Sequence, residues 1–316
     1  MSRSSVDQRT GVQRTSTAET GDKMSLKTNR EQLIMTAVQG SVAPAHQWAP
    51  FEVGAAGEIF AWPSTGGITY NVKIGDSVFG WAGEHIEPGV STTLSHKNRK
   101  VEAGYQFMAC CGNQARVVSG EAKGEMGTVL GHHGGVDHLM IDFPDSTLDK
   151  LTCEDKFLIR GHGQGLRLID HPGVYIYNLD PDLLDVWGLK ERADGRIDVP
   201  VHVIVPGHAM GSGIGALSVT TGDYDILCHD EETVSEHGMS RLRFGDFVAV
   251  LDHDNRYGRT YRKGSITIGV VIHSDSPLAG HGPGMMTLIS ACDDKLVPVL
   301  SDDANLGAIK RIGRYV

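Results

Sequence analysis

No stretch of this 316-residue chain approaches the ~18 consecutive apolar residues of a membrane-spanning helix, so such a span is excluded. CxxC spacing is missing as well. Five scattered cysteines, Cys110, Cys111, Cys153, Cys228 and Cys292, argue against a disulfide framework, and reduced thiols in a cytoplasmic protein are expected. Basic residues are in deficit: 29 Lys and Arg face 39 Asp and Glu, a formal net charge of −10. Nucleic-acid affinity rests on cations that neutralise phosphates, so that partner is excluded, and no basic run long enough to dock on a membrane is found. GxSxG, HExxH, GK[ST] and GxGxxG are all lacking, which removes serine-elbow, zincin, P-loop and dinucleotide chemistry in their motif-bearing forms. No organic cofactor is expected.

What the chain has in excess is glycine. Forty glycines are nearly twice average usage and point to tight turns and backbone-lined loops instead of long helices. Residues 1–25 are polar, with almost nothing apolar, and read as a disordered extension. Residues 33–42 (LIMTAVQGSV) read as a strand that stops before Pro44, and 68–73 followed by 75–80 as strand, turn, strand. An Asp at a turn followed by an alternating apolar strand recurs around Asp76, Asp155 and Asp246, as turn-to-strand entries of a barrel would. Residues 119–143 form the clearest hairpin, with a Gly-rich tip. Asp180 as N-cap, Pro181 at the first position and Gly188 as stop mark a helix, and 231–237 is a weaker second one. The fold class expected is mainly β with a few helices (α+β): a β-barrel-like N-terminal domain over 26–165 and a C-terminal α+β domain over 166–316.

Four polar clusters could carry chemistry. At the hairpin tip, His133 and His138 flank four residues and face each other, two imidazoles that form a reserve metal or ligand site. Asp223 and Asp225 alternate, so a strand places both carboxylates on one face. They follow a glycine-rich stretch, 205–215, which reads as packing glycines before an anion cradle. Asp252, Asp254, Arg256 and Arg259 read as a salt-bridged hairpin loop or a carboxylate clamp. His273, Asp275 and His281, beside Gly- and Pro-rich backbone and near Asp246, have the composition of a three-ligand metal site with an open position. An antiparallel hairpin of 246–252 with 265–273 separates the last two clusters by ~25 Å, eight residues at ~3.3 Å each. One chain then does not combine them.

The segments 112–135, DPDLLDVWGL, MGSGIGA, DYDI, LRFGDFVAVLDHD and IGVVIHSDSPLAGHGPG together resemble a bacterial and archaeal family known as domain of unknown function 4438. That resemblance implies a β-rich fold and a homo-oligomer, and no reaction. A fainter similarity in the Asp-strand pattern and polar glycine loops links short pieces to acetamidase/formamidase-type hydrolases.

The expectation is therefore a metal-assisted hydrolase of a small polar amide or cyclic amide/imide. His273, Asp275 and His281 hold a divalent ion (Zn, Mn, Ca or Fe). Asp223, Asp225 or Asp246 acts as base, Asp252 and Asp254 are further catalytic candidates, and Arg259 orients an anionic group of the substrate. The alternatives are a non-catalytic small-molecule (anion) binding protein and a structural oligomer.

Overall fold

A computed structural model of the protein describes residues 26–211 and 218–316. The expected extension over 1–25 and the Ser212–Gly215 part of the glycine-rich stretch lie outside the described residues. Strands dominate, with five short α-helices among the described residues. No helix there is long and apolar enough to cross a membrane.

Six antiparallel strands close into an N-terminal barrel. In order they are Met35–Val42, Lys156–His162, Gln114–Val117, Met126–His133, His138–Asp142 and Gly89–Thr93, which pairs back to the first through Ser41 and Thr93. Closure removes the exposed edges that an open sheet would present. Val129, Leu139, Ile141, Phe157 and Ile159 fill its interior. One expected strand is not formed. Residues 75–80 make turns and a single bridge, Ser77 to Arg243, because their polar groups close a loop instead of pairing a ladder.

The recurring aspartates explain themselves as turn locks. Asp76, Asp155 and Asp246 each accept a hydrogen bond from the backbone N–H three residues earlier, on Lys73, Thr152 and Arg243, at 3.0, 2.8 and 2.7 Å. The carboxylate satisfies a donor that the turn would otherwise orphan. The helix Pro181–Trp187 is capped as its residues dictate: Asp180 accepts from the Asp182 N–H, and Gly188 takes the left-handed conformation. The helix Arg99–Met108 has no such punctuation at its C-terminal end and escaped the sequence reading.

The second body is a six-stranded sheet. Its main path runs Val174–Ile176, Gly284–Ala291, Thr260–His273, Phe247–Asp254 and Val203–Val205, with Tyr224–Asp225 also paired to Gly284–Ala291. Where the barrel hairpin meets this sheet, Leu130 and Met140 turn outward into a shared core with Ile268, Ile272 and Met286. Gly131 lets the backbones approach, since a Cβ there would press on Ile272 and Met286. This docking brings the tip of the barrel hairpin beside the end of the Thr260–His273 strand. The candidate site residues gather there.

Candidate metal centre

Strand register builds the centre of the cluster. Asp225 pairs with Gly284, and Gly284 pairs with His273, so Asp225 and His273 flank a glycine in one row across three strands. A Cβ on Gly284 would overlap the His273 imidazole; the missing side chain is the space the ring occupies. His273 Nε2 lies 3.2 Å from Asp223 Oδ2 and 3.6 Å from Asp225 Oδ1. Its Nδ1 faces the Ser274 carbonyl at 2.9 Å. Tyr224, between the two aspartates, turns to the opposite face and donates to Asn255 at 2.6 Å.

Two more imidazoles arrive from the barrel half. His133 and His138 are register partners across the hairpin. Both turn Nδ1 to the buried Glu87 carboxylate, at 2.7 and 2.9 Å. His85 gives its Nδ1 to Glu84, which also receives the Ser64 hydroxyl. The remaining nitrogen, His85 Nε2, lies 3.1 Å from His281 Nδ1 and 3.7 Å from Asp225 Oδ2, and His281 Nδ1 lies 2.8 Å from that same oxygen. Two triads result: His85, Asp225 and His281, and His133, Asp223 and His273, each with its ligand atoms within 4.8 Å of one another.

This arrangement has the marks of a metal centre. A ligating histidine characteristically donates its second ring nitrogen to a carboxylate or carbonyl, which fixes tautomer and orientation. His85, His133 and His273 do so with Glu84, Glu87 and Ser274. Ligands at ~2.05 Å around a tetrahedral ion stand about 3.3 Å apart. The inter-ligand distances quoted above, 2.8 to 3.7 Å, bracket that value. The electrostatics agree in direction. Burial works against a charged His273, yet hydrogen bonds to Asp223 and Asp225 raise its pKa well above the ordinary value. Burial likewise opposes ionised Asp225, and His273, His281 and His85 hold it well below the usual range. Two buried aspartates therefore draw positive charge inward, a demand that a divalent cation also meets. His132, one residue before the triad, is pushed down to about 4 by burial and stays neutral.

The structure brings together Asp223, Asp225, His273, His281, His133 and His138, which the sequence distributes among three clusters. Others go elsewhere. Asp275 belongs to neither triad; its Oδ1 is buried without a hydrogen-bond partner, and burial raises its pKa. Asp246 is held by Arg243 and Asn305, at 3.0 and 2.8 Å, as a turn lock. Asp252 sits at a register shift in left-handed backbone and accepts from the Gly264 N–H. Asp254 pairs with Arg256, whose hydrogen bond pulls its pKa down to about 2. Arg259 reaches the Met210 carbonyl and lies over the Tyr224 ring, on the face away from the aspartates. His85, Glu84 and Glu87 were missed. Their signal is the acid–His–x–acid run at 84–87, which matches no established spacing and lies in no regular element.

Beside the cluster lies a cleft of about 680 Å³, bordered by His46, Ser64, Trp81, Gly83 and Ile86. That volume suits a small organic ligand. His281, with its side chain 37% exposed, is the open rim of an otherwise buried set.

Residues 51–185 match the N-terminal domain, and 186–310 the C-terminal domain, of the family described as domain of unknown function DUF4438. The chain belongs to the DUF4438 family. The crystal structure of TM1086 is similar to it over 91% of this chain and 99% of its own, at 44% sequence identity and a TM-score of 0.85. No curated protein matches. In family terms, each triad takes one histidine from the N-terminal domain and two ligands from the C-terminal one.

Proposed function

We propose that this DUF4438 protein is a divalent-metal-dependent hydrolase of a small polar amide or cyclic amide C–N bond. The observation that carries the reading is the set of imidazoles whose Nδ1 atoms are secured while their other nitrogens converge on Asp223 and Asp225. The reactive ion belongs at His85, Asp225 and His281, because only this triad has an exposed member through which a substrate enters. A divalent ion there supplies an acidified water and polarises a carbonyl. The chain's own part is to orient the ligands through Glu84 and to admit the substrate past His281. In hydrolysis, water oxygen bonds to the carbonyl carbon and the C–N bond breaks. One of the water's protons ends on the departing nitrogen and the other is released with the acid product. The buried acidic set favours a neutral, polar substrate over an anionic one, since among the described residues Glu84, Glu87, Asp223 and Asp225 pair with histidines and with no Lys or Arg.

The test combines turnover and metal content. Untagged protein loaded with Zn²⁺ or Mn²⁺ is assayed against linear amides, lactams and cyclic imides, and His281→Ala should lower kcat/KM at least 100-fold. Turnover that survives metal removal or His281→Ala refutes the assignment. A ligand that raises the melting temperature and is recovered unchanged would point instead to a binding protein.

A further inference from the structure

Asp225 divides its two oxygens. Oδ2 faces His281 and His85, at 2.8 and 3.7 Å, while Oδ1 faces His273 at 3.6 Å. The two triads therefore meet at one carboxylate. Their rings are in contact too: the His273 centroid lies 4.3 Å from that of His133 and 4.8 Å from that of His85. We propose that the cluster holds two divalent ions at once, an outer one on His85 and His281 and an inner one on His133, Asp223 and His273, with Asp225 bridging them. This rests on the metal-dependent reading above and adds the second ion to it.

Three observations support a pair. First, the two triads share no residue, and Asp225 still turns one oxygen to each of them. Second, the inner triad is closed. His133 and His273 are 5% and 0% exposed, and Asp223 Oδ1 is already committed to the Gly134 N–H at 2.7 Å, leaving Oδ2 for the ion. It fits an ion that organises the site, next to an outer one that meets substrate. Third, charge balance accommodates two. Glu84, Glu87, Asp223 and Asp225 are each at most 4% exposed, and among the described residues none is ion-paired to Lys or Arg. Ligating imidazoles are neutral. One divalent ion would leave the remaining buried carboxylates to imidazoles alone, as Glu87 is to the non-ligating His138 at 2.9 Å, whereas two ions match all four. Paired ions held ~3.5–4 Å apart clamp both the attacking and the leaving atom of a hydrolytic step.

Stripped, untagged full-length protein titrated with Mn²⁺, with metal counted by mass spectrometry after dialysis, decides the matter. Two ions per chain, with a spin-coupled electron paramagnetic resonance signal appearing only as the second equivalent binds, is the expected result. His133→Asn should lose one of the two ions and the coupled signal. Saturation at one ion with an uncoupled spectrum overturns the pair and leaves a one-ion hydrolase standing. No bound ion overturns both. Should His133→Asn fail to fold, the wild-type stoichiometry and spectrum still decide.

Discussion

Glu87 is the residue whose conservative replacement most directly probes the centre. Its carboxylate is 1% exposed and accepts from four groups: His133 Nδ1 at 2.7 Å, His138 Nδ1 at 2.9 Å, the Ser91 hydroxyl at 2.5 Å and the Gly66 N–H at 3.0 Å. Burial pushes its pKa up, but the two histidines more than offset this and hold it well below the carboxylate range. Glu87→Gln keeps the shape and replaces one acceptor oxygen by an NH₂ donor. Whichever way the amide turns, that donor meets an N–H or O–H donor already pointing at it. At least one charge-assisted bond is lost, each worth about 1.5–3 kcal/mol. In either orientation of the amide, His133 Nδ1–H loses the anionic partner that orients the ring and raises its basicity. Loss of such an orienting partner weakens metal binding about 10–100-fold, or about 1.4–2.7 kcal/mol. The assay is competition against a chelator of known affinity, with thermal unfolding of the stripped protein run in parallel. A lowered melting temperature with metal affinity within threefold of wild type would refute the argument, because Glu87 would then be a buried fold element with no hold on the metal.

Two further predictions follow from individual contacts. Gly284→Ala puts a methyl group where the His273 ring sits, so metal affinity should fall at least 100-fold, measured by the same competition; unaltered binding would mean that His273 is not a ligand. Asp142 concerns stability alone: burial pushes its pKa up to about 6, against Lys73 and the Gly313 N–H, which pull it down. A folded pKa above the unfolded ~3.9 contributes stability that is full below that value and is lost as pH rises through about 6. Urea unfolding of Asp142→Asn should therefore gain on wild type by up to about 3 kcal/mol between pH 4 and pH 8. A constant difference across that range would refute the shift.

Much of the architecture was legible because it rests on local rules. β-Branched and apolar residues ending before Pro44 exposed the Met35–Val42 strand, alternation the Phe247–Asp254 strand, and cap residues located Pro181–Trp187. The site was only half legible. Asp223 and Asp225 could be placed on one face by period alone, and His133 opposite His138 by hairpin symmetry. Grouping Asp275 with His273 and His281 followed chain proximity, whereas the sheet supplies the carboxylate from a neighbouring strand across Gly284. Asp246 shows the opposite error. Its role as a turn lock was implicit in the pattern it shares with Asp76 and Asp155, and that recurrence was better evidence than nearness to His273. His85 stayed hidden because only docking of the barrel on the sheet places it 3.1 Å from His281.

That each triad joins one histidine from the first family domain to two ligands from the second makes an ion there a rivet across the seam. Either half made alone would carry an unmatched fragment of the coordination shell and have little to hold a metal. A bound ion would add to the shared core of Leu130, Met140, Ile268, Ile272 and Met286, favouring the assembled chain by mass action.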